Sequence, residues 1–245
     1  MRDFITCLEF LTRVRFSKRT DWRDEDFSRS VPYFPLVGLV IGSLLAAINY
    51  SLFYIETPLF LRVTLLLLAE IIITGGLMYD VFMDTADGVF SARSRERMLE
   101  IMKDSHVGSN AVLAIIILLL LKIAAYLELS GETLTWVLLT MSVATRTFMV
   151  VLIVNFPYAR KEGIGHMFTK YAKPFYTYIA FAVCAGIIAA CGLQYLAVAG
   201  ICFTVTLIIA QYLKTQLGGL TGDTYGALTE CGNVIYLLTA VFLLR

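Results

Sequence analysis

Three aspartates, Asp80, Asp84 and Asp87, are spaced four and three residues apart, which stacks their carboxylates on one face of a helix. Like charges so placed repel one another, and ionised acids among apolar neighbours such as Val81, Phe82 and Met83 are costly to desolvate. Such a group needs either raised proton affinity or a cation among its oxygens. Hard divalent cations, Mg2+ above all, take carboxylate oxygens together with waters and substrate phosphates, so the spacing points to a Mg2+-assisted phosphate or diphosphate site. A fourth acid, Asp104, follows the basic residues Arg93, Arg95, Arg97 and Lys103 in the same stretch. The competing reading is a solvated acidic helix end balanced by those bases.

A second group lies near the far end, in Gly218-Gly219-Leu220-Thr221-Gly222-Asp223-Thr224-Tyr225-Gly226-Ala227, followed by Glu230. Glycines at this density let backbone amides approach an anion, and Thr221 or Asp223 can cap a helix whose N-terminus suits a phosphate. A plain turn with an N-cap is the alternative. Asp223 and Glu230 are seven apart and are expected to share a helical face, completing the carboxylate set. Between the two groups, Arg160 and Lys161 offer a guanidinium that can grip a diphosphate in bidentate fashion, or simply anchor a cytoplasmic loop. His106 and His166 stand in different loops, which argues against a histidine metal site. The five cysteines, Cys7, Cys184, Cys191, Cys202 and Cys231, are scattered singly and read as buried thiols.

The elements that position these residues must be built in lipid. Of 245 residues 58% are apolar and only 16% charged, which is not the balance of a soluble fold. Apolar runs of about 20 residues, each long enough to cross a bilayer as a helix, indicate an all-α polytopic bundle and exclude disorder, a coiled coil and a β-barrel. The runs fall at 35–54, 59–79, 112–129, 134–156, 175–192 and 195–213, with a shorter seventh at 234–244 that becomes long enough if its helix begins near Tyr225. Arg2, Arg13, Arg15, Lys18, Arg19, Arg23 and Arg29 crowd the first 30 residues, and basic residues recur in the stretches 80–110 and 157–174 but not in the loops between. This alternation puts the N-terminus and the three site-bearing stretches on the cytoplasmic side. The N-terminal segment lacks the apolar core of a cleaved signal, so no removal is expected. The whole of 1–245 reads as a single membrane-embedded domain. A net charge of +1 supplies no electrostatic case for a nucleic-acid partner, leaving the bilayer as the expected surroundings.

Four charges, Arg62, Glu70, Lys122 and Arg146, fall inside the apolar runs, where ions are expensive unless paired. Glu70 is expected to pair with Lys122 or Arg146 across helices, a proton or ion pathway being the functional competitor. Gly38 and Gly42 form a G-x-x-x-G that can pack a helix within the chain or between protomers of a homo-oligomer.

Several motifs together carry a family likeness. Gly75-Gly76-Leu77 through Asp80, Asp84-Thr85-Ala86-Asp87-Gly88 and Ile101-Met102-Lys103-Asp104-Ser105 resemble the acidic signature of the cobalamin synthase family, membrane-bound adenosylcobinamide-GDP ribazoletransferases. Phe10-Leu11-Thr12-Arg13, Tyr33-Phe34-Pro35-Leu36-Val37-Gly38, Tyr158-Ala159-Arg160 with Gly163 and Gly165, and the Gly218 to Ala227 motif are similar to that family in the same order. The family usually has His where this chain has Met78 and Gly where it has Val81. The resemblance implies a prokaryotic inner-membrane transferase of cobalamin biosynthesis. Its substrates would be adenosylcobinamide-GDP and α-ribazole or its 5′-phosphate. A ribose hydroxyl would attack the phosphorus nearer the corrinoid, with GMP leaving. On this reading Asp80, Asp84 and Asp87 bind Mg2+, with Asp104 as a further ligand or as the base, so that Asp84, Asp87 and Asp104 form the catalytic set. Gly218, Gly219, Thr221 and Asp223, with Arg160 and Glu230, would then hold the second substrate or the GMP portion.

Two other membrane enzyme classes share parts of this pattern. Asp-rich helices occur in intramembrane prenyltransferases. Asp87-Gly88 followed by Ala92-Arg93 resembles CDP-alcohol phosphotransferases, although that family has two residues between Gly and Ala where this chain has Val89-Phe90-Ser91. A cation transporter would explain acids and buried charges together but would place its acids near mid-membrane, whereas the densest cluster here sits at a cytoplasmic helix end.

Overall fold

The computed structural model describes residues 2–15, 23–129 and 131–244, so Lys18, Arg19 and Arg245 lie outside the described residues. The described residues form twelve α-helices and no strand: α1 (Arg2–Leu11), α2 (Asp24–Ser30), α3 (Phe34–Tyr54), α4 (Leu59–Thr74), α5 (Leu77–Phe90), α6 (Arg95–Ile101), α7 (Ser109–Glu128), α8 (Gly131–Asn155), α9 (Ile164–Lys170), α10 (Phe175–Cys191), α11 (Leu193–Leu217) and α12 (Gly222–Leu244). Five helical segments are long and apolar enough to cross a membrane, and seven if the bent pairs α4–α5 and α9–α10 each count as one span. The shortest predicted span gains its length as expected, because α12 begins at Gly222 and runs 23 residues.

Helix α8 is the axis of the bundle. Every residue from Thr140 to Ile153 is buried, Arg146 and four hydroxyl side chains included, the behaviour of a helix enclosed by others. Helix α3 lies against it at Gly38 and Gly42, where an added methyl group would overlap the backbone of Ser142 or Leu139. The G-x-x-x-G is therefore used within the chain. Outward residues such as Phe60 and Ile72 on α4 and Leu113 and Ile117 on α7 are more than half exposed, as a lipid-facing surface requires.

The second apolar run does not continue straight to Tyr79. Gly75 and Gly76 both adopt the left-handed conformation, with φ of 70° and 72°, which ends α4 and turns the chain by 91° into a separate helix, α5. The acidic motif thus has a helix of its own. Its first turn is fastened by the buried charges: Lys122 Nζ donates to both Glu70 carboxylate oxygens at 2.8 Å, to Tyr79 Oη at 2.8 Å and to Glu230 Oε2 at 3.1 Å. Tyr79 Oη in turn donates to Glu70 Oε2 at 3.1 Å, and Asn233 Nδ2 donates to Glu230 Oε1 at 3.2 Å. With Arg146 buried beside Thr145 and Asn233, two carboxylates meet two cations and the group is neutral overall. Such a network balances its charges while joining α4, α5, α7, α8 and α12, with Arg146 Nε left without a hydrogen-bond partner among the described residues.

Short helices close over one corner of the bundle. Rings of Phe10, Phe27 and Phe34 converge on Phe168 with centroids 4.9, 5.2 and 5.6 Å away, holding α1, α2 and α3 to α9. Ser28 Oγ donates to the Met167 carbonyl across the same seam.

Candidate active site

Helix α5 presents its three acids to three environments. Asp80 is exposed, Asp84 half-buried and Asp87 buried. Asp87 accepts the backbone N–H groups of Gly108 and Ala111, the latter at 2.9 Å, and so caps the start of α7. Asp84 is the acid with the most company: the charges it feels are Asp80 and Asp87 on its own helix, and Asp223 and Arg160 from across the cleft. Asp104 follows α6, more than half exposed, its Oδ1 only 2.6 Å from His106 Nδ1. That bond holds the Asp104 carboxyl below its usual range and raises the His106 imidazole.

The sequence reading gave Asp80, Asp84 and Asp87 to metal, with Asp104 as a further ligand or as the base. Among the described residues no three His, Cys, Asp or Glu side chains converge closely enough to hold a metal by themselves. The physical reason lies in competing uses. Asp87 is spent on the amides of α7, and Asp104 is turned to solvent with His106. Asp80 and Asp84 remain, one helical turn apart, a donor pair of the kind that suits Mg2+ when water and substrate phosphate fill the other positions.

The glycine motif shapes the opposite wall. Gly218 closes α11 with φ of 70°. Gly219 lets the chain pass against the 157–159 segment: Leu220 N donates to the Pro157 carbonyl and Ala159 N to the Leu220 carbonyl, both at 2.8 Å. A Cβ on Gly219 would stand 2.7 Å from the Pro157 oxygen, so the pairing requires glycine. Thr221 N donates to Thr224 Oγ1 at 2.7 Å and Thr224 N to Thr221 Oγ1 at 3.2 Å, a reciprocal cap on α12. Gly218, Gly219 and Thr221 therefore serve the turn.

That turn delivers Asp223, whose Oδ2 lies 2.7 Å from Arg160 Nη1. Arg160 Nε and Nη2 are buried with no hydrogen-bond partner among the described residues, leaving one edge of the guanidinium for an anion. Glu230, expected beside Asp223, is instead 1% exposed in the Lys122 network. Seven residues put the two acids on one face of α12 but about 10 Å apart along its axis, so Asp223 stands at the helix start while Lys122 of α7 holds Glu230 inside the bundle.

Beside these residues lies a cavity of about 230 Å³, lined by Tyr158, Arg160, Asp223 and Tyr225 and by an apolar set, Phe10, Phe34, Leu77, Met149, Ile153 and Phe168. Met78 and Val81 also line it, and Val81 packs on Gly226 of α12. The sequence reading missed Tyr225, Phe168, Met149 and Ile153 as site residues. They sit in apolar runs or helix interiors whose pattern says only that they are buried. Arg95 is another omission: its guanidinium lies over Gly218, where a Cβ would collide with it.

A family model described as cobalamin-5-phosphate synthase matches residues 3–241. The chain is 36% identical to an adenosylcobinamide-GDP ribazoletransferase of Clostridium novyi (strain NT) over 242 residues, 97% of this chain and 96% of that one. It is 40% identical to the enzyme of that name from Desulforamulus reducens over 225 residues, covering 91% and 89% of the two chains. With that of Desulfitobacterium hafniense (strain Y51) it shares 36% over 250 residues, covering 100% and 98%. No solved structure matches the chain.

Proposed function

The chain belongs to the cobalamin-5-phosphate synthase family, and from that premise we propose that it transfers the adenosylcobinamide phosphate group of adenosylcobinamide-GDP to α-ribazole or its 5′-phosphate, releasing GMP. The observation that supports this most is that Asp84 feels the charges of Asp80, Asp223 and Arg160 together, while Asp223 and Arg160, 2.7 Å apart, line the neighbouring cavity. The reaction exchanges a diphosphate bond for a phosphate ester. A ribose hydroxyl oxygen forms a bond to the phosphorus nearer the corrinoid, the bond from that phosphorus to the bridging oxygen breaks, and GMP departs with that oxygen. The hydroxyl proton goes to a carboxylate of the cleft.

Little covalent work falls to the protein in such a reaction; positioning and charge neutralisation do most of it. The unpartnered Nε and Nη2 edge of Arg160 is a fork that fits two phosphate oxygens, and its Nη1 contact with Asp223 fixes the plane of that fork. Asp80 and Asp84 would hold Mg2+, which when bound neutralises charge on the transferred and leaving oxygens. Asp87, by capping α7, keeps α5 in register with the cleft rather than touching the ion. The basic N-terminal and loop residues support a cytoplasmic side for this cleft by the positive-inside rule, in what we take to be a prokaryotic inner membrane.

The test is GMP release by purified Asp84→Asn and Asp80→Asn proteins, with Mg2+ and with chelator. Both variants should stay folded and lose at least about 100-fold in turnover, the scale of losing charge stabilisation in the transition state. Turnover near that of the parent in both, or parent turnover untouched by chelator, would remove the metal assignment.

A further inference from the structure

The cavity beside Arg160 and Asp223 has a chemistry of its own that the transfer reaction does not by itself specify. We infer that this cavity is the acceptor subsite, taking the apolar bicyclic base of the ribazole nucleoside; the inference rests on the transfer reading given above.

Three moieties compete for the space. A volume of about 230 Å³ is too small for a corrinoid macrocycle but suits a flat bicyclic ring. Of the two flat rings in the reaction, guanine carries several donors and acceptors along its edge, and burying them unpaired is costly. The apolar set offers it nothing: Phe10, Phe34, Met149, Ile153 and Phe168 are apolar, and the aromatic rings of Phe10 and Phe34 are already locked edge-on or tilted to Phe168. The carboxylate that might have read a guanine edge, Asp223, already has its charge answered by the Arg160 guanidinium 2.7 Å away. A dimethylbenzimidazole has the opposite demands, since its two methyl groups and carbocycle want apolar contacts and its free ring nitrogen wants one donor. Tyr225 lines the cavity, is 3% exposed, and has a hydroxyl with no hydrogen-bond partner among the described residues. With the Arg160 fork facing the phosphates, the Tyr225 hydroxyl is the donor left among the apolar lining, and it matches one acceptor nitrogen on an apolar rim. The base would then lie inward, with its ribose toward Arg160, Asp223 and Asp84, where the attacking hydroxyl is needed.

The experiment uses the full chain in detergent and measures KM separately for the nucleoside and for adenosylcobinamide-GDP. Ile153→Phe, which fills the cavity from a wall residue, should raise the nucleoside KM at least 10-fold and leave the KM for adenosylcobinamide-GDP within two-fold. With the unaltered protein, ribosides of dimethylbenzimidazole, benzimidazole and adenine should show a rising KM, about four-fold for each buried methyl lost. This series needs no variant to fold. A nucleoside KM indifferent to the methyl groups, or an Ile153→Phe effect confined to adenosylcobinamide-GDP, would overturn the subsite assignment while transfer itself stands. Absence of any GMP release by the unaltered protein with ribazole would instead defeat the transfer reading.

Discussion

Replacing Lys122 by methionine tests whether the buried ion network is what seats the acidic helix. Met keeps the length and apolar stem of the side chain and removes only the ammonium. That ammonium is fully buried and holds Glu70 at 2.8 Å and Glu230 at 3.1 Å, whose side chains are 3% and 1% exposed. Without it, two carboxylates share a buried space with Arg146 as the sole nearby cation, and a neutral group becomes net negative. Breaking a buried ion pair from one side costs about 3–5 kcal/mol, roughly a 100- to 5,000-fold fall in the folded-to-unfolded ratio. Unfolding in mixed micelles of increasing sodium dodecyl sulfate fraction, followed by circular dichroism, reads this directly. Adding Glu70→Gln to Lys122→Met restores charge balance, and should recover at least about 1 kcal/mol as a coupling energy between neighbours. A Lys122→Met protein within about 0.5 kcal/mol of the parent would refute the reasoning. So would a double variant no more stable than the single one.

Asp87→Ala should cost about 1–3 kcal/mol by orphaning the amides of Gly108 and Ala111, and hydrogen exchange at the start of α7 should quicken by about ten-fold or more. Gly219→Ala should cost about 1–3 kcal/mol and most of the activity, because the new methyl group collides with the Pro157 carbonyl and displaces Arg160 with its loop; proteolysis at 157–163 gives the readout. The His106 imidazole, raised by its bond to Asp104, should titrate in NMR above the ordinary histidine value and return to it in Asp104→Asn. Its small stabilising contribution is present at low pH and fades as pH rises through the raised value. That of Asp104, whose carboxyl is lowered, fades as pH falls through its own titration, so the pair is intact only between the two.

Much of this architecture was legible in the chain because lipid imposes a single strong rule on backbone polarity. Long apolar runs gave the spans, and the pairing of Glu70 with Lys122 followed from the cost of an ion in that setting. What escaped was local competition for polar groups. Nothing in D-x-x-x-D-x-x-D says that Asp87 will prefer two backbone amides to a shared cation, since those amides come from a loop 21 and 24 residues away. Glu230 was misplaced because a seven-residue spacing describes a helix face and not what packs on it. The bend at Gly75–Gly76 was written in the glycines, but apolar length alone reads straight through them. The cavity wall was invisible for a related reason: Met149, Ile153 and Phe168 look like any buried side chains until three helices leave space between them.

The most direct measurement of the central claim is the stoichiometry of products when the detergent-purified chain is given adenosylcobinamide-GDP and α-ribazole with Mg2+. Transfer predicts one GMP released for each new corrinoid nucleotide formed, and neither product when ribazole is omitted. GMP formed at the same rate without ribazole, or no GMP from a folded sample, would contradict it.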